Sequence, residues 1–230
     1  MPISRVLEPE VMAGAEEAGE YDEMDFSATD QLFAERAAEL VADVLAGDAR
    51  CIVDIGSGNA KIPLAMCALL PPGASVCAVE MSASMLAVAA RNRARAGVAA
   101  HRLYLVTGDA KRLPFPAGSI GMVTSNSLVH HIPDPRAVFM EVARIARSGG
   151  PILIRDLIRP DSEAALKLIL DTHAAQASPL QRTLFADSLH AALTVAEVRT
   201  LLDECGLADV TVSQITDRHW SAERRPAKSA

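Results

Sequence analysis

The stretch CIVDIGSGNAKIPLAMCALLPPGASVCAVEMS (51–82) decides the fold. CIVDI (51–55) is a short apolar run rich in β-branched residues and closed by glycine, the pattern of a buried strand. GSGNAKIPLAMCALL (56–70) is a glycine turn that opens a helix, and ASVCAVE (74–80) is a second apolar strand. Ser82 has the side chain to cap a further helix to about Ala96, where Gly97 supplies the stop. The strands are apolar along their whole length instead of alternating, so both of their faces are covered. That predicts a parallel sheet with helices on each side.

The same alternation extends in both directions. Upstream, Phe33, Ala37, Leu40, Val41 and Val44 share one face of a helix predicted from Ser27 to about Ala46. Downstream come a third strand in RLYLVTGD (102–109), a fourth in SIGMVTS (119–125), a helix from Pro135 to about Ala146, and a fifth strand in PILIRDL (151–157). Residues 160–193 read as two helices broken near Ser178-Pro179. Thr194 and Glu197 form a capping box for a helix that ends at Gly206. DVTVSQIT (209–216) then alternates as a strand, and HWSAERR (219–225) pairs back on it through a turn at Asp217-Arg218. The expected fold is α/β: a Rossmann-like doubly wound sheet, mostly parallel, with a terminal antiparallel hairpin and helices on both faces.

Composition narrows the class. Of 230 residues, 50% are hydrophobic and 22% charged, and the mean hydropathy is +0.19, enough to bury a core. No apolar run approaches the roughly 18–20 residues of a membrane span, and the first twenty residues lack the basic end and apolar stretch of a secretory signal. The net charge of −7 is concentrated at the start: residues 1–30 carry nine acids and one base, while the remainder is near neutral. Residues 1–20 are therefore expected to be a flexible acidic arm, and 21–230 one domain with 160–193 as a helical insertion over the substrate side. A near-neutral body gives no strong field for nucleic acid, and eight aromatic residues make a base-stacking platform improbable. Cys51, Cys67, Cys77 and Cys205 show no metal-ligand spacing and read as buried thiols of a reduced, cytoplasmic protein.

Ligands of open parallel sheets sit beyond the C-terminal strand ends, near the switch in strand order. Three successive strand ends here supply an acid: Asp54, Glu80 and Asp109. Asp54 precedes Gly56-Ser57-Gly58, a turn that permits close approach of a ligand at a helix N-terminus. Glu80 lies 22 residues beyond Gly58, where a carboxylate can accept two hydrogen bonds from a ribose diol. Dinucleotides and S-adenosylmethionine both carry that diol. The dinucleotide fingerprint requires a third small residue where this chain has Lys61, which disfavours a nicotinamide-dependent oxidoreductase.

VDIGSGNAKIPL (53–64), AVEMSASML (78–86), GDAKRLPF (108–115), SNSLVHHIPDP (125–135) and SGGPILIRD (148–156) together resemble the class I S-adenosylmethionine-dependent methyltransferases, of the small-molecule type grouped around ubiquinone and menaquinone C-methyltransferases. The resemblance implies S-adenosyl-L-methionine as methyl donor and a small-molecule acceptor. It places the Gly56 and Gly58 backbones, with Ser57 between them, along the methionine moiety, and Asp54 near its ammonium. Glu80 would bind the ribose, Met81 would pack on the adenine, and Asp109 would accept from the adenine amino group beside Ala110. Ser125 and Asn126 would lie under the sulfonium. Tyr21, Met24 and Phe26 would either close over the cofactor or staple the first helix. Ala60 departs from the family, which commonly has glycine there, so a slightly crowded turn is expected.

For catalysis the candidates are His130, His131 and Asp156. An imidazole near the methyl can take a proton from an acceptor, although the His-His-x-x-Asp-Pro run (130–135) equally shapes a turn. Adjacent histidines also suggest a metal, but no third ligand lies at a useful spacing, so none is expected. The apolar residues Leu166, Ile169, Leu170, Leu180, Leu184 and Phe185 either line an acceptor pocket or pack on the sheet. A binding protein that kept this fold without turnover is the remaining alternative.

Overall fold

The computed structural model describes residues 3–8, 14–42 and 51–226. Along the chain run α1 (Ala15–Glu23), α2 (Ser27–Val41), β1 (Cys51–Ile55), α3 (Lys61–Leu69), β2 (Ser75–Glu80), α4 (Ala83–Arg95), β3 (Leu103–Thr107), β4 (Met122–Asn126), a 3-10 turn (Val129–His131), α5 (Arg136–Ile145), β5 (Ile152–Leu157), α6 (Glu163–His173), α7 (Pro179–Ala191), α8 (Val195–Glu204), β6 (Thr211–Gln214) and β7 (His219–Arg224). The sheet order is β3-β2-β1-β4-β5-β7-β6. The first five strands are parallel, and β7 is antiparallel to both β5 and β6. The order reverses between β1 and β4, so the crevice between their C-terminal ends is the ligand position of a doubly wound sheet.

Strand β1 shows why the sheet is buried on both faces. Ile52 packs with Phe33 and Leu40 of α2 and Met66 of α3. Val53 and Ile55 point the other way, toward Phe139, Val142 and Ile145 of α5 and Val198 of α8. Asp54 and Ile55 pair with Thr124 and Ser125 of β4, which aligns the two strand ends. The capping signals operate as read. Ser82 Oγ accepts from Met85 N, and reciprocal capping boxes open α7 (Ser178, Gln181) and α8 (Thr194, Glu197). Gly97 and Gly206 end their helices at φ of 65° and 77°, a backbone region open chiefly to glycine.

Two expectations concern the start of the chain. The first helix is described to Val41, and residues 43–46 of the predicted span lie outside the described residues. The described parts of the acidic start are packed, where a solvated arm is expected from its charge. Ile3 is buried beside Leu166 and Leu189, and the Arg5 guanidinium donates to the carbonyls of Ala191, Pro133 and Ile132. Residues 15–23 form α1, which lies against α4. Net charge says nothing about a single arginine that finds three carbonyls, or about Ala18 and Tyr21 meeting Met85 and Val88.

Arg102 shows how one side chain ends a helix. Its guanidinium donates to the carbonyls of Cys67 and Leu70 at the end of α3, which lack intrahelical partners, and to that of Pro71 just beyond. Arg102→Ala is expected to lower stability by about 1.5–3 kcal/mol, the range for hydrogen bonds to a charged group, in urea denaturation. A loss below about 0.5 kcal/mol would show that water replaces the cap without cost.

Candidate functional site

A pocket opens at the C-terminal ends of β1, β2, β3 and β4, and Asp54, Gly56, Ser57, Gly58, Glu80, Met81, Asp109, Ala110, Asn126 and Tyr21 line it. The backbone of the glycine turn is tied to β2. Gly56 N and Ser57 N both donate to the Val79 carbonyl, at 2.8 and 3.0 Å. Gly56 has φ 70°, and a Cβ there would lie 2.7 Å from Leu128 Cδ1, so glycine is required on two grounds. Glu80 joins two loops: its Oε2 accepts from Gly58 N (3.0 Å) and its Oε1 from Ser82 N (2.7 Å). Ala60 adopts φ 62°, a left-handed conformation unfavourable to alanine, which accords with the crowded turn expected there.

The charges in the pocket differ sharply in environment. Asp54 is buried, and desolvation pushes its carboxyl up to about 7, against a hydrogen bond from Thr124 Oγ1 (2.7 Å) and with the nearby Asp30 and Glu80 charges adding to the rise. Asp109 is drawn below the ordinary carboxylate range: burial pushes up, but the Lys111 backbone N–H and ammonium outweigh it. Tyr21 rises to about 12 because it is buried near Asp30 and Glu80.

The remaining sequence candidates divide. Asn126 reaches the pocket with its Oδ1 held by Arg155 Nε at 2.7 Å, and His131 lines the pocket wall. Ser125 does not reach it. Its Oγ is buried and donates to the Ile55 carbonyl, because alternate residues of β4 face opposite sides of the sheet. Nor do His130 and Asp156, both buried and outside the lining. Asp156 accepts from the backbone N–H groups of Val129, His130 and Leu157 and contacts His130 Nδ1 at 2.5 Å, so it braces the 3-10 turn instead of facing substrate. Tyr21 and Phe26 both line the pocket, their ring centroids 5.9 Å apart, whereas Met24 contributes a carbonyl to Lys61 Nζ (3.2 Å). Leu166, Ile169, Leu170 and Phe185 pack with Leu157 and Leu189, and Leu180 and Leu184 are exposed; none of the six lines the pocket.

Sequence reasoning missed the latch on α1. Asp22 Oδ1 accepts from Asn59 Nδ2 (2.8 Å) and Asn92 Nδ2 (2.9 Å), and Lys61 Nζ donates to the Asp22 carbonyl. Lys61, read only as an obstacle to a dinucleotide, holds α1 over the glycine turn. Its position at a helix start, where a cation is electrostatically misplaced, was the available signal.

Comparison with known proteins bears on this arrangement. A family model described as a methyltransferase domain matches residues 53–154. A demethylmenaquinone methyltransferase of Mycolicibacterium paratuberculosis is 28% identical over 77% of this chain and 70% of its own length. A ubiquinone biosynthesis O-methyltransferase of Xanthomonas euvesicatoria is 26% identical over 76% of this chain and 69% of its own. The chain is an S-adenosylmethionine-dependent methyltransferase. The crystal structure of a putative methyltransferase from Methanococcus maripaludis shares the fold with a TM-score of 0.66 at 20% identity, covering 97% of this methyltransferase and 99% of that chain. The methyltransferase takes S-adenosylmethionine as its donor, and the pocket fits that molecule. The Ser57 hydroxyl is buried without a hydrogen-bond partner, and the Asp54 carboxyl lies where a cation would be stabilised. Among the described residues no helix is long and apolar enough to cross a membrane.

The Asp54 shift fixes a pH dependence. With its folded value raised to about 7, the native protein keeps a proton that the unfolded chain loses from about pH 3.9 upward. The resulting stability is full below that value and is lost as pH rises through about 7. Asp54→Asn is therefore expected to flatten the decline in ligand-free stability between about pH 4 and pH 7, measured by urea denaturation. An unchanged pH slope would contradict the placement of that carboxyl in a dry site.

Proposed function

We propose that this methyltransferase moves the methyl group of S-adenosylmethionine to a small organic acceptor with an apolar body, as a cytoplasmic enzyme. The observation that carries the site assignment is the Glu80 carboxylate, fixed at the lip of the pocket by Gly58 N and Ser82 N with lone pairs remaining for a ribose diol. The named relatives act in quinone biosynthesis, which supports an acceptor of that general size and polarity. All four cysteines are free thiols, which supports a reducing compartment.

When bound, the cofactor supplies a methyl group already activated on a sulfonium. The chain then has to bind, orient and exclude water. Glu80 holds the ribose, and Met81 and Ala110 flank the adenine with Asp109 as acceptor for its amino group. Gly56, Ser57 and Gly58 line the methionine end, where Asp54 meets the ammonium. Asn126, held by Arg155, lies at the floor toward the acceptor. Tyr21 and Phe26, carried by the latched α1 and the turn that follows it, cover the pocket. Phe26, Leu128 and Ile132 give the acceptor side an apolar wall, and His131 is its titratable group. Helices α6 and α7 support that wall, since α7 packs on the 3-10 turn carrying His131.

Glu80→Ala is expected to weaken S-adenosylhomocysteine binding by about 1.5–3 kcal/mol, roughly 10- to 150-fold, in titration calorimetry. Unchanged affinity would remove Glu80 from the ribose site.

A further inference from the structure

The spacing of the two adjacent histidines offers no third metal ligand nearby in sequence, but the fold brings one from the opposite end of the chain. Glu8 Oε1 lies 2.9 Å from His131 Nδ1 and 3.5 Å from His130 Nε2, and the three donor atoms lie within 4.8 Å of one another. We propose that Glu8, His130 and His131 form a binding site for one divalent transition-metal ion of the zinc class.

Four observations carry this. First, the donor set of two imidazoles and one carboxylate is one that zinc uses in three-ligand sites with a fourth position open. Second, the distances suit a shared ion. Bonds of 2.0–2.2 Å in a tetrahedron put donor atoms about 3.3 Å apart, close to both Glu8 separations. Third, Glu8 Oε1 is a buried carboxylate oxygen that faces both rings and, among the described residues, makes no hydrogen bond of full geometry. Fourth, the ligands are braced from behind. His130 Nδ1 is held by Asp156, which leaves Nε2 as the free donor, and Glu8 Oε2 accepts from Ser188 Oγ at 3.0 Å. Bound metals commonly rest on such outer contacts.

The segment that delivers Glu8 is itself fixed. Arg5 donates to three carbonyls, and Val6 N donates to the His190 carbonyl at 3.1 Å. The Glu8 and Asp156 carboxylates outweigh the single positive charge of Arg5 there, which favours a cation. The site borders the cofactor pocket through His131, so the open position is available to water or to an oxygen or nitrogen of the acceptor. The inference rests on this geometry alone and does not depend on the identity of the acceptor.

Chelator-treated protein titrated with cobalt(II), followed by calorimetry and visible absorption, tests it. The expected result is about one equivalent bound with the intense spectrum of four-coordinate cobalt, displaced by zinc(II). Glu8→Gln and His131→Ala should each abolish that spectrum, and Ser188→Ala should loosen binding by about 10–100-fold. His101→Ala, at an exposed histidine outside the cluster, should change nothing. Failure of the unmodified protein to bind one equivalent, or an unchanged spectrum in His131→Ala, would overturn the site. S-adenosylhomocysteine titration of the same samples shows that the variants are folded and separates failure of the metal site from failure of the methyl-donor site.

Discussion

Parallel strands that end together leave their following loops with backbone N–H groups that no neighbouring strand can take. Here two residues of β2 collect them. The Val79 carbonyl accepts from Gly56 and Ser57, the Glu80 carbonyl from Gly108, and the Glu80 carboxylate from Gly58 and Ser82. Three loops from three strands are thereby tied to one point. The pocket exists because these loops are held apart at fixed distances while glycine keeps their inner surfaces bare. A side chain at Gly56 would collide with Leu128, and one at Gly108 would approach Val79 Cγ1 to 2.8 Å.

Around that point the molecule is closed from two directions. The Asp22 latch sets α1 on the glycine turn, so the aromatic cover is connected to the loop that it covers. On the other side the Arg5 anchor and the Asp156 brace fix the 3-10 turn between the N-terminal segment and α7. The latch and the Arg5 anchor both come from the first thirty residues. The acidic start is therefore part of the site, and its charges are partly consumed in holding it: Asp22 by two amides, Glu8 by the Ser188 hydroxyl.

The sheet was legible because its signals are local. Apolar strands of five or six residues, glycine at turns and side-chain caps all act within a few positions. The lip of the pocket was legible for the same reason: Asp54, Glu80 and Asp109 stand at strand ends whichever helices surround them. What escaped depends on contacts distant in sequence. Ser125 and Asn126 are neighbours, yet strand alternation sends one into the core and the other into the pocket. Asp156 looks free at a strand end until the 3-10 turn folds onto it. Glu8 beside His131, and Asp22 beside Asn59, require chain closures that composition and spacing do not report, and the acidic composition pointed away from both.

The central claim is that the crevice between β1 and β4 is built for an adenosyl ligand with a free ribose and an amino-acid tail. Parallel calorimetric titration of the full chain with S-adenosylmethionine, S-adenosylhomocysteine and NADH tests it most directly. Binding of both adenosyl ligands at about one equivalent, with no heat from NADH, is the predicted result. Binding of NADH without either adenosyl ligand would contradict the account, because the glycine turn would then hold a pyrophosphate in place of an amino-acid tail.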